Sequence, residues 1–120
     1  MATTSTEYQE QKTVVKWCEV MACRYAGLDL IYHIPNEGKR GLQAAAMLKA
    51  AGLKRGVPDL CLPVPRGCRH GLYIEMKRKG GRVQPEQAEW IKRLNALGYC
   101  ACVCYGADEA IKAIETYYMQ

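Results

Sequence analysis

The stretch from Gly56 to Gly81, GVPDLCLPVPRGCRHGLYIEMKRKGG, decides how the rest of the chain is read. From Gly71 onward its residues alternate. Leu72, Ile74 and Met76 fall on one side, and Tyr73, Glu75 and Lys77 on the other. This period of two predicts a strand with one face in a core. The apolar run Leu60 to Val64 reads as a second strand, opened by Pro58-Asp59. Pairing the two runs across the loop from Pro65 to His70 sets Asp59 opposite Glu75, with Lys77 beside them.

Two carboxylates and an amine on one sheet face repel and lose hydration unless a cation lies between the acids. Carboxylate oxygens are hard ligands and favour Mg²⁺ or Mn²⁺ over zinc. Such an ion lowers the pKa of water and stabilises charge on a phosphoryl oxygen, while a lysine orients the attacking water. Taken alone, Asp-x(n)-Glu-x-Lys is a weak pattern. It also describes a turn aspartate followed by a solvated strand face.

Pro58-Asp59 followed by Glu75-Met76-Lys77 resembles the PD-(D/E)XK nucleases. More narrowly, GVPDLCLPVPRG, GLYIEMKRKGGR and PEQAEWI, in that order, resemble the virus-type replication-repair nuclease (VRR-NUC) domain, from Glu7 to Glu109. The resemblance implies an α/β fold, a mixed β-sheet flanked by helices in the order αβ(α)ββαβα. It implies a metal-dependent, structure-selective DNA endonuclease. Asp59, Glu75 and the Met76 backbone carbonyl would hold Mg²⁺ or Mn²⁺, and Lys77 would orient or deprotonate the attacking water. In the family a glutamate of the first helix completes the metal site. Glu10 is the choice for it here, with Glu7 the competitor. Gln87 matches the family's glutamine after E-x-K, which would position water or substrate.

The small stand-alone bacterial and phage proteins that this sequence resembles are thought of as dimeric Holliday-junction nucleases. A homodimer acting on a four-way junction, in the cytoplasm of a bacterium or phage-infected host cell, is the expectation. A flap or end-processing nuclease shares the chemistry and differs in substrate. A non-catalytic DNA-binding module on the same fold is the rival from another class, and the complete Asp59/Glu75/Lys77 set argues against it.

Length and composition agree with this frame. The 120 residues suggest one domain spanning 1–120, with 49% hydrophobic and 24% charged residues as in ordinary globular proteins. No apolar run is long enough to span a bilayer, and MATTSTEYQEQ lacks a signal peptide's apolar core, so no membrane partner is expected. A net charge of +5 favours an anionic partner. Lys39, Arg40, Lys54, Arg55, Arg66, Arg69, Arg78, Lys79 and Arg82 fall in loops near the carboxylates in sequence. They would grip phosphates without reading bases. The seven cysteines include no C-x-x-C, and buried free thiols explain them better than zinc. Cys68 and His70 are close in sequence, but two ligands do not make a zinc site.

Around this centre the other elements follow. Thr6 and Gln9 fit a capping box that opens a helix to Tyr25, with Val14, Cys18, Met21, Ala22 and Tyr25 as its apolar stripe. Glu10 heads that stripe and should point towards the sheet, though first-turn acids also complement a helix dipole. Leu28 to Ile34 reads as the first strand, and Pro35 to Gly38 as a turn in which Glu37 is solvated. Leu42 to Ala51 reads as an alanine-rich helix ended by Gly52. Pro85 and Gly98 delimit a helix with Trp90, Ile91, Leu94 and Leu97 inward, and Trp90 is read as core, not as a base-stacking platform. Gln87 falls on that inward face. Tyr99 to Tyr105 is a β-prone run with Cys100, Cys102 and Cys104 on one side, and Ala107 to Tyr118 is the last helix.

Overall fold

The computed structural model describes residues 6–35 and 41–120. Of the expected turn from Pro35 to Gly38, the residues after Pro35, Glu37 among them, lie outside the described residues, as do the cations Lys39 and Arg40 and residues 1–5.

Helix α1, Glu7–Met21, starts at the predicted box: Thr6 Oγ1 accepts from Gln9 N at 3.1 Å and Gln9 Oε1 accepts from Thr6 N at 2.9 Å. These bonds occupy amides that a helix start leaves without intrahelical partners. The predicted strand from Leu28 is corrected. Leu28–Leu30 is a single 3-10 turn, and strand β1 is only Tyr32–His33. Leu28 N bonds to Tyr25 O and Leu30 N to Gly27 O, so these amides are engaged locally and not across a sheet. Gly27, at φ +80°, makes this turn possible, and a Cβ there would meet Val64 at 2.8 Å.

Helix α2, Leu42–Ala50, buries none of its residues, and its apolar Leu42 and Met47 are 92% and 68% exposed. Strands β2, Leu60–Leu62, and β3, Leu72–Lys77, then form an antiparallel hairpin, with Leu60 opposite Ile74 and Leu62 opposite Leu72. Helix α3, Pro85–Ala96, leads to β4, Cys100–Tyr105, and α4, Ala107–Tyr118, ends the fold. The sheet order is β1-β2-β3-β4, and only the β3–β4 pair is parallel. The predicted mixed sheet flanked by helices is therefore the observed one.

The period of two in β3 sorts the layers. Leu60, Leu62, Leu72, Ile74 and Met76 pack with Val14 and Cys18 of α1 and with Ala110, Ile114 and Tyr117 of α4 in the main core. Cys104 joins this core and its Sγ lies 3.8 Å from that of Cys102, so the alternating thiols share the apolar face. Burial, with Glu19 nearby, pushes the Cys18 thiol up to about 12. Helix α3 lies over the other face. Asn95 ties it to the edge strand, donating to Ala101 O at 2.9 Å and accepting from Ala101 N at 3.0 Å. This amide pair occupies backbone groups that an edge strand otherwise leaves open. Leu97, predicted inward, caps the C-terminus of α3 instead and is 66% exposed. Among the described residues no helix is long and apolar enough to cross a membrane.

Candidate active site

The hairpin register that pairs Leu60 with Ile74 continues one step to set Asp59 beside Glu75 on the α3 face. Strand β2 stops at Leu60, and the Asp59 side chain takes over: its Oδ2 accepts from Met76 N at 2.7 Å. Glu75 is 2% exposed. Its Oε2 accepts from Gln87 Nε2 at 3.2 Å and lies 3.8 Å from Lys77 Nζ, itself buried. Its Oε1 is buried with no hydrogen-bond partner. Burial first, then the neighbouring charge of Asp59 and hydrogen bonding to it, push the Glu75 carboxyl up to about 8. Lys77 opposes this rise, and Glu7 adds to it more weakly.

Gln87 reaches Glu75 because α3 opens at the sheet with its own box. Gln87 Oε1 accepts from Gln84 N at 2.8 Å, which leaves the amide nitrogen for the carboxylate. The two first-helix acids diverge. Glu10 Oε2 accepts from Ala107 N at 3.2 Å at the start of α4, whereas Glu7 is the one whose charge acts on Glu75. Among the described residues no three His, Cys, Asp or Glu side chains converge as a metal-binding cluster. The converging acids are thus Asp59 and Glu75.

Of the predicted cations, Arg78, Lys79 and Arg82 are exposed in the loop leaving β3, and Lys79 lines a groove with Glu10 and Tyr105. Lys54 and Arg55 sit beside α3, where Arg55 O accepts from the Trp90 indole at 3.0 Å. Arg66 and Arg69 are corrected. They lie at the far, loop end of the hairpin, where Arg66 donates to Tyr118 O and Arg69 to Tyr99 O. Their charge does not join the carboxylate end.

Two neighbours of the acids are not evident from sequence. His33 Nδ1 lies 2.9 Å from Asp59 O and 3.1 Å from Gln11 Nε2, which links α1, β1 and the start of β2 behind the acids. The only signal in the sequence is that His33 ends the first strand just before Pro35.

The VRR-NUC domain family model matches residues 3–108. A solved chain described as a VRR_NUC domain protein superposes with a TM-score of 0.81 at 34% identity, covering 98% of this chain and 91% of that one. The chain belongs to the VRR-NUC domain family. No curated protein matches it. VRR-NUC membership makes this a nuclease-type DNA-processing protein. The carboxylate pair lies where β2 gives way to Asp59, within the VRR-NUC match.

The donor set fits a hard divalent cation. A cation between Asp59 and Glu75 would give Glu75 Oε1 a partner and offset both the burial and the Asp59 repulsion that raise its pKa. A third protein ligand would come from backbone, and Mg²⁺ in particular keeps several waters.

Proposed function

We infer that this VRR-NUC protein is a divalent-metal-dependent DNA endonuclease that cuts branched DNA as a homodimer. The observation that carries the reading is the buried, unpartnered oxygen of Glu75 beside Asp59. A fold that buries one carboxylate beside a second acid, with an oxygen left unpartnered, bears a cost that something else must offset.

Asp59, Glu75 and the Met76 carbonyl would hold Mg²⁺ or Mn²⁺. Of the first-helix acids, Glu7 is the stronger candidate to complete the set, because Glu10 already accepts from the first amide of α4. A bound divalent ion supplies positive charge at the phosphodiester and lowers the pKa of water. Lys77, whose Nζ lies 3.8 Å from Glu75 Oε2, would orient a water for in-line attack on the phosphodiester. Gln87 fixes the second Glu75 oxygen and so the rotamer of the carboxylate. Lys54, Arg55, Arg78, Lys79 and Arg82 grip phosphates on either side.

The homodimer rests on two arguments. Symmetric cutting of a four-way junction needs two opposed sites, which a two-fold dimer supplies. Helix α2 supports it, since an apolar helix with no buried residue is the kind of surface that a partner covers. Cleavage of labelled duplex, flap, fork and four-way junction with Mg²⁺ or Mn²⁺ tests the activity. Paired symmetric incisions on the junction support the reading, and preferential flap trimming sinks the junction. Light scattering at micromolar concentration tests the dimer, and a monomer mass rules it out.

A further inference from the structure

We propose that the groove between α3 and the loop after α2 binds nucleotides left unpaired at the branch point of the DNA substrate, stacking a base on Trp90. The inference rests on the nuclease reading and adds to it a subsite for single-stranded nucleic acid.

The groove encloses about 460 Å³ and is formed by Lys54, Arg55, Glu89, Trp90, Arg93 and Leu97, with Leu94 beneath. Its volume falls within the range of about 300–1,000 Å³ typical of small-ligand sites. The floor is apolar. Leu97 stands largely exposed and Trp90 is half-buried, although the sequence pattern turns both inward. The rim carries three cations against one carboxylate. A flat apolar floor with a cationic rim complements a nucleotide, which offers a planar base and an anionic phosphate.

The walls are preformed. The Trp90 indole donates to Arg55 O at 3.0 Å, which fixes the ring against the loop. Gly56, at φ +87°, seats that loop on the first turn of α3, where a Cβ would come within 2.7 Å of the Glu86 backbone. A platform that is already ordered loses little entropy on binding.

Position links the groove to the chemistry. Trp90 follows Gln87 by three residues and so lies on the same side of α3, within one turn, about 5 Å along the axis. Gln87 in turn touches Glu75. A strand whose backbone passes the carboxylates therefore reaches Trp90 within a nucleotide or two. Paired bases are stacked within the duplex and cannot lie on the ring, so the subsite takes a base only where pairing opens, as at the branch point of a junction.

The test uses Trp90 emission in the intact Trp17→Phe protein without metal, since the chain has two tryptophans. Oligo(dT) should quench it saturably, and a duplex of equal length should need at least about tenfold more to do so, the scale of one base–aromatic stack. Arg93→Glu should weaken strand affinity by about tenfold, because it replaces a phosphate partner with a repelling charge. Fluorescence anisotropy of a labelled strand on the otherwise wild-type chain reads that change without replacing Trp17. Absence of quenching, equal quenching by duplex, or equal affinity for free dTMP overturns the proposal. Strand affinity unchanged by Arg93→Glu while the oligomeric mass shifts assigns the groove to a second copy and also overturns it. Cleavage of the DNA panel by the same protein separates the two readings. Cutting without quenching removes the groove alone, and quenching without cutting removes the nuclease alone.

Discussion

At the loop end of the β2–β3 hairpin, Arg66 and Arg69 direct donors at the backbone oxygens of Tyr118 and Tyr99, and Arg66 lies over the Tyr118 ring at 5.4 Å. At the other end, Asp59 and Glu75 lie side by side and one buried oxygen has no partner. The same hairpin thus carries charge in two ways. Its arginines serve packing. Arg66 also leaves a buried atom, its Nε, without a partner, but its terminal nitrogen meets the Tyr118 carbonyl and its guanidinium the Tyr118 ring, which closes α4 onto the loop. Glu75 opposes packing, because its burial and the neighbouring Asp59 charge both raise the cost of its charged form. Charge buried beside like charge points to chemistry, and charge set against carbonyls and a ring face points to architecture.

Removing an acid should give the largest effect. Asp59→Ala and Glu75→Ala should each lower cleavage by about a thousandfold or more, as expected when a preorganised charge-stabilising group is removed. Gel assays of labelled DNA measure this, and near-normal cutting by either variant would falsify the assignment. DNA binding should survive, since neither change removes a positive charge.

Gln87→Ala comes next. It frees the Glu75 carboxylate to rotate and should cost about 10–100-fold in metal affinity or turnover, the range for groups that orient a ligand. Isothermal titration with Mn²⁺ alongside kinetics reads both, and an unchanged pair would mean that the Gln87–Glu75 bond is only structural.

The pH dependence of the metal-free protein follows from Glu75. Its carboxyl is raised from 4.5 to about 8 in the fold, so the folded state keeps a proton that the unfolded chain releases. This contribution is complete below pH 4.5, declines as the pH climbs, and is gone above about 8. The melting temperature should therefore drop by several degrees between these limits. Glu75→Gln should flatten the profile, and Mg²⁺ should offset the loss at pH 8 in the wild type only. A parallel profile for the variant would show that Glu75 is not the group responsible.

The arginine end gives the smallest effect on activity. Arg66→Ala should cost about 1–3 kcal/mol in urea unfolding, because its hydrogen bond and its place over the Tyr118 ring both go, and leave the salt dependence of DNA binding unchanged. Replacing Lys79 and Arg82 should do the reverse, lowering the slope by about one unit for each phosphate no longer held, with stability intact. If Arg66→Ala weakens DNA binding instead, the contrast between the two ends fails.

Much of the site was legible because it is local. Alternation in β3 fixes which side Glu75 and Lys77 take, and a hairpin places Asp59 from the length of one loop. Gln87 was legible because Pro85 fixes where α3 starts. What escaped depends on distant chain. Nothing near Arg66 in sequence reveals that the end of α4 covers it, and nothing near Glu10 reveals Ala107 N. Leu28, Asp29 and Leu30 alternate as a strand does, and the turn at Gly27 makes them a 3-10 segment. Trp90 and Leu97 follow the helical period, yet Leu97 lies past the last turn, where the period no longer governs direction.

Asp59 does two jobs with one side chain, and this decides which variant suits a trapped complex. Its Oδ2 receives the amide of fully buried Met76, standing in for the strand that begins one residue later. Alanine there removes the charge and also orphans that amide, at a cost of about 1–3 kcal/mol. Asparagine keeps a carbonyl oxygen for the amide and removes only the charge. Asp59→Asn should therefore melt close to the wild type while failing to cut, whereas Asp59→Ala fails on both counts. For a crystallographer who wants uncut DNA on an intact sheet, the better change replaces one oxygen by nitrogen.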